Sequence, residues 1–444
     1  MVPLLILFFV LLFYGDYFLV ERGYSIHGRL LAEAFSGLLL LIVVAQVAMH
    51  RRFNLPPKYA FWFFSFTSVI IAGLLANQVP TGALVMGIRE NFKFAPMFLL
   101  PIVYHFKPEQ MKALLLALLF FASIQLPFMV NQRMTELWLT GDYITGTLIS
   151  SNFVSMFLIC CWAVVFGFFL RKKIGLPFFL LLSIVLIFPT MLNETKGSLV
   201  LLPFAFVLPM AFAPGITRLG LKMTFSGIAF VMLALVYSVM DRILLGERPN
   251  YAFLDLFLNP DQLMAYLTPS AQGGSWMGRG DKLLLAWSNA TESVTSFFLG
   301  VGLGNVNDTS HTIFEGDYTE FGKLLDTTFN QYLWETGMVG ALLALMLPVM
   351  SFFDAKNVAR LDSDLPGVIA NGWVAVAIII FLGAFYIRGP DAQALTYLFF
   401  FFSGYMAANA YQLRFSTATN ALHKREQLGT TTPSLLAQRS RIAS

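Results

Sequence analysis

The sequence predicts an all-α polytopic membrane protein with about twelve transmembrane helices and one large loop. Composition points there first: 57% of the 444 residues are hydrophobic and only 12% are charged, about half the charged share of a soluble domain. Mean hydropathy is +0.70. Apolar runs also recur along the whole length, each long enough to cross a hydrocarbon core of about 30 Å as a helix.

Taken in order, the spans fall at about 2–20, 30–49, 60–76, 92–106, 111–130, 147–170, 175–192, 197–213, 219–240, 329–353, 367–387 and 391–412. The first run, VPLLILFFVLLFYGDYFLV, has no basic n-region and no small-residue cleavage site, so it reads as a retained helix. The fourth is short and contains Lys93 and Pro96. The chain divides into a nine-span region (1–240), a polar loop (241–328), a three-span region (329–412) and a tail (413–444). The loop carries apolar residues at near-helical spacing, among them Phe253, Leu256, Phe257 and Leu263, and predicts one or two short helices. The tail is polar and Ser/Thr-rich and reads as disordered.

Charge orients the spans. If the N-terminus is inside, the inside loops 50–58, 106–112, 171–173, 218–222 and 354–364 carry three, two, three, two and two basic residues. The tail adds five basic residues against one acid, whereas 241–328 holds five basic and eleven acidic. This is the positive-inside pattern, with both termini inside and the large loop outside.

With that topology Arg89, Glu90, Lys93, Arg133, Glu136, Glu194, Lys196, Arg279, Asp281, Lys282, Glu335, Arg388 and Asp391 fall on the outer side. Charges at the edge of an apolar run are costly unless paired or facing water. Cations there suit the holding of a phosphate or pyrophosphate; interfacial anchoring is the plainer reading of any single one. Lys196 opens the eighth span in NETKGSL, where backbone N–H groups adjoin it. That is a workable anion site, and equally a helix start capped by Asn193 or Thr195. GVGLGN (300–305) lacks the Lys-Ser/Thr and the βαβ setting of a phosphate loop, so its glycines read as a tight turn against the membrane surface. His311 is the one histidine in the large loop and reads as a general base or as a solvated residue. Cys160 and Cys161 read as small buried hydrophobes. No spacing suggests a metal site, and no cofactor is expected.

Four segments resemble, in order, the motifs of the O-antigen ligase and O-antigen polymerase superfamily of bacterial envelope glycosyltransferases. YITGTLISSNFVSMFL (143–158) is similar to its G-T…N stretch through Gly146, Thr147 and Asn152. NETKGSL is similar to T-x-S-R-G-A-L, with Lys196 in the arginine's place. MGRGDKLLLAW and FFLGVGLGN are similar to R…W…GvGxGN through Arg279, Trp287, Gly300, Gly302 and Gly304. FNQYLWETGMVG is similar to HNxYL…E-x-G-x-x-G through Asn330, Tyr332, Leu333, Glu335, Gly337 and Gly340, with Phe329 where the ligases carry histidine. The resemblance implies a GT-C-like, metal-independent enzyme of the bacterial inner membrane. It would transfer a glycan from an undecaprenyl-pyrophosphate carrier to a sugar hydroxyl on the periplasmic face, as polymerase or ligase. It implies a glycan or lipid-linked acceptor, contact with membrane lipids and other polysaccharide-assembly proteins, and no nucleic acid. Arg279 and Lys196 are expected to clamp the pyrophosphate, Arg89 and Arg388 to assist, and Glu335 or His311 to orient or deprotonate the hydroxyl.

Two other readings stand beside it. A twelve-span secondary transporter or lipid-linked glycan flippase shares the topology, but the long loop follows span nine and no two-fold repeat is visible. A lumenal glycosyltransferase is suggested by the N-x-T sequons at Asn193, Asn289 and Asn307.

Overall fold

The computed structural model describes residues 1–15, 17–18, 25–50, 53–135, 143–193, 195–213, 259–268, 277–306, 314–319, 327–389 and 391–415, with isolated positions between 220 and 239. Among them there is no strand. The helices are α1 Val2–Val10, continued by a π turn Leu11–Gly15, α2 Ser25–His50, α3 Pro57–Asn77, α4 Thr81–Phe92, α5 Ala95–Val103, α6 Pro108–Ser123, α7 Gln125–Thr135, α8 Ser151–Leu170, α9 Leu176–Leu192 and α10 Lys196–Phe212. The loop region supplies α11 Pro260–Leu267, α12 Arg279–Ala290 and α13 Val294–Leu299; α14 Thr328–Leu361, α15 Leu365–Gly383 and α16 (393–415) follow. Six described helical stretches are long and apolar enough to span a bilayer. The protein is therefore a helical, multi-pass membrane protein. The ninth expected span, residues 241–258 and the tail beyond 415 lie wholly or mostly outside the described residues.

The helices pack about α8, α10, α14 and α15. α8 and α15 approach closely because two glycines face each other: a Cβ on Gly167 would stand 2.7 Å from the backbone nitrogen of Gly372. Small residues permit such contact where no hydrophobic force draws helices together. Between α14 and α15, Trp373 Nε1 donates to Ser351 Oγ (3.0 Å).

Three boundaries differ from expectation. The fourth span is two helices, α4 and α5, broken at Lys93–Phe94. Its first half begins at Thr81, so Arg89 and Glu90 lie in the last turn of α4, about 12–14 Å along the helix, and not at its mouth. The tenth span runs on to Leu361, taking in most of the expected 354–364 loop. It also changes direction at Gly337 (φ 64°, ψ −169°). Residues 328–336 thus form a separate short helix on top of the main span.

At the other end of α14, Asp354 is 1% exposed. It accepts from Lys58 Nζ (2.6 Å) and Tyr59 Oη (2.7 Å). Removing one partner of a buried pair leaves an uncompensated charge, and Lys58 is partly solvated, so Lys58→Met is expected to destabilise by about 1–3 kcal/mol. Lys58→Met with Asp354→Asn should recover part of that loss, as read by thermal unfolding in detergent.

Candidate functional site

One end of the bundle gathers all four motif segments. Gly146 and Thr147 precede α8 in a loop held by two glutamines of α7. Gln125 Oε1 accepts from the Thr147 N–H (2.9 Å). Gln132 Oε1 accepts from the N–H groups of Thr145 (3.1 Å) and Gly146 (2.8 Å). Gly146 has φ +61°, a region L side chains avoid. The same end of α8 is tied to the NETKGSL segment: Asn193 Nδ2 donates to Ser155 Oγ (2.7 Å) and the Ser151 carbonyl (2.9 Å). Asn193 is fully buried. A glycan there has no room, so the sequon at Asn193, one of the three behind the lumenal reading, is not a usable acceptor.

The segment after α15 crosses the same end. The Thr328 N–H and the Phe329 N–H donate to the carbonyls of Ile387 and Ala384 (both 2.9 Å), and the Gly389 N–H donates to Thr328 Oγ1 (2.7 Å). These bonds satisfy the free N–H groups at the start of α14 and fix Tyr386 and Arg388 over the bundle end.

Tyr386 is the meeting point. Its hydroxyl donates to Asn152 Oδ1 (2.9 Å). The Arg279 guanidinium sits over its ring, 4.4 Å from the centroid. A Cβ on Gly197 would lie 2.5 Å from its Cε1, so only glycine allows α10 to begin there. Asn152, Gly197 and Arg279, from three separate motifs, therefore surround one ring. Arg279 is the first residue of α12, and Asp281 closes the turn by accepting from the Gly278 N–H (2.9 Å). The apolar face of α12, through Ala286 and Ala290, packs with Val306, Leu333 and Trp334 and sets the position of the arginine.

Three polar atoms in the Arg279 and NETKGSL segments are unsatisfied. Arg279 Nε, Thr195 Oγ1 and Ser198 Oγ are buried with no hydrogen-bond partner. Among the described residues no carboxylate pairs with Arg279. Lys196 opens α10 directly between Thr195 and Gly197, and its side chain lies outside the described residues, as do Glu136, Glu194 and His311. Buried polar groups are nearly always bonded, and unpaired donors in the first turn of a helix are chemically suited to an anion.

The other expected cations are engaged. Arg388 Nη2 donates to Glu90 (2.9 Å), Nη1 lies 3.6 Å from Asp391, and Nε donates to Gln331 (3.0 Å). Burial opposes the charge on Arg388, but Glu90 and Asp391 outweigh it and hold its pKa above the ordinary arginine value. Arg89 pairs with Glu33 (2.5 Å), which Lys93 also approaches (3.4 Å).

Glu335 is 1% exposed. Its carboxylate accepts from the Gly304 N–H (3.1 Å) and Gln331 Nε2 (3.3 Å), while Val301 and Gly302 donate to the carbonyls of Trp334 and Glu335 (2.8 and 3.0 Å). GVGLGN therefore does not lie on the membrane surface as expected. Gly300, Gly302 and Gly304 have φ of +69°, +99° and +83°, and the loop is buried between the Gly337 kink and α4. Phe329 packs against Phe385 with the rings tilted (centroids 4.8 Å apart) and lines an apolar cavity of about 110 Å³, so this position offers no proton acceptor.

Comparison with protein-family models and with curated proteins gives no match.

Proposed function

We propose that this protein is a metal-independent membrane glycosyltransferase. It takes a glycan from a polyprenyl-pyrophosphate carrier to a sugar hydroxyl, in the manner of the O-antigen ligase and polymerase superfamily its motifs resemble. One observation carries the reading: Arg279, Asn152 and Gly197 converge on Tyr386, with the Arg279 Nε buried and, among the described residues, no acidic partner for the guanidinium. In the reaction the acceptor oxygen attacks the anomeric carbon, the bond to the pyrophosphate oxygen breaks, and the proton leaves the hydroxyl. Arg279, Lys196 and the N-terminus of α10 neutralise the departing pyrophosphate in place of a metal. Arg388, held by Glu90, assists, and Arg89 is committed to Glu33. Glu335 acts as a positioning residue, holding the glycine loop and reaching Arg388 through Gln331. His311 is the candidate base.

The reading includes about twelve spans in a bacterial inner membrane, both termini cytoplasmic and the site end periplasmic. Purified protein in proteoliposomes is expected to consume a lipid-linked oligosaccharide and to form a new glycosidic product in the presence of EDTA. Movement of intact donor across the bilayer, with no product, would support a flippase instead. For topology, cysteines at Glu292 and Ser363, in a background lacking Cys160 and Cys161, should label from opposite sides of the membrane; labelling from one side would refute the orientation.

A further inference from the structure

We infer that the end of the bundle away from the Tyr386 site binds one anionic glycerophospholipid. Its acyl chain would lie in a cavity between α6, α8 and α15, and its phosphodiester on Lys112 and Lys173. The cavity holds about 540 Å³, within the size of ordinary small-molecule sites. Its walls are almost wholly hydrocarbon, and among the described residues the only charged groups in its lining are Glu109, Lys112 and Lys173. All three come from the same end: Glu109 and Lys112 from the start of α6, Lys173 from the turn after α8.

The dimensions select the occupant. The lining runs from Pro108 to Leu119 on α6, from Phe157 to Phe168 on α8 and from Leu365 to Val376 on α15. Each run rises about 17 Å at 1.5 Å per residue. That is one leaflet of a hydrocarbon core about 30 Å thick. A slot one leaflet deep with cations at its mouth matches an acyl chain below an anionic headgroup. A polyprenyl chain is longer than the slot. Among the described residues neither lysine is ion-paired, and both are exposed. The basic neighbour Arg171 is engaged, donating to the carbonyls of Ala359 and Asp362. Glu109 leaves the mouth with a net positive charge, so a zwitterionic headgroup gains less there than an anionic one.

Native mass spectrometry of the purified protein tests this, with phosphatidylglycerol and phosphatidylcholine of identical chains as probes. Phosphatidylglycerol should be retained about tenfold better, the scale expected for basic side chains facing an anionic headgroup. Lys112→Ser with Lys173→Ser should abolish the preference; Lys107→Ser, at the same end but outside the cavity, should not. Leu119→Trp, which fills the slot, should reduce uptake of both lipids. Wild-type protein provides a check that needs no variant, because Cys160 and Cys161 line the cavity. Phosphatidylglycerol should slow labelling of the half-buried Cys161 by an apolar maleimide several-fold. Equal retention of the two lipids, a preference that survives loss of both lysines, an unchanged labelling rate, or stronger uptake of undecaprenyl phosphate would each overturn the inference.

Discussion

Arg279→Ala is expected to lower glycan transfer by about 10²-fold or more, the scale for removing one donor that stabilises transition-state charge. Among the described residues the guanidinium has no carboxylate to neutralise it; it stacks over Tyr386, and its Nε is buried without a partner. On the proposed function, this cation meets a charge that arrives with the substrate. Arg279→Lys should recover only part of the rate, because an ammonium lacks the planar fork that stacks on a ring and holds two oxygens at once. Neither variant should greatly lower the thermal midpoint in detergent: Arg279 occupies the first position of α12, whose packing runs through Ala286 and Ala290. Near-normal transfer by Arg279→Ala would make the residue an interfacial anchor.

Gly304→Ala should act by the opposite route, through assembly. Gly304 has φ +83°, and a methyl group there would overlap the carbonyl of Ala83 and the backbone of Gly87. The left-handed conformation costs an alanine about 1–2 kcal/mol, and overpacking adds about 1–3 kcal/mol. The expected loss is therefore about 2–5 kcal/mol, seen as a lower unfolding midpoint together with lost transfer. The loop would also drop the Gly304 N–H to Glu335 contact that links it to Gln331 and Arg388. An unchanged midpoint would mean that the loop is free to move off α4.

The helical membrane class was readable from composition and the apolar runs, because such runs admit few structures in a bilayer. The glycines of GVGLGN and Gly337 were visible as conformational signals; what they dock against was not. The expected span at 92–106 missed α4 because Arg89, Glu90 and Asn91 depress its hydropathy. Their partners Glu33, Arg388 and Tyr332 come from distant parts of the chain. Tyr386 was hidden for the same reason, at the end of an apolar run where an aromatic passes for an interfacial residue. Gln125 and Gln132 offered a weak signal that went unread: two amides seven residues apart share a helix face, and here that face carries the Gly146 loop.

The most direct test of the central claim is a structure in lipid nanodiscs with a non-hydrolysable undecaprenyl-pyrophosphate glycan. The account predicts the two phosphates within hydrogen-bonding distance of the Arg279 guanidinium and the first turn of α10, beside the Tyr386 ring, with the glycan outside the bilayer. Phosphates bound elsewhere, with Arg279 still stacked and unliganded, would contradict it.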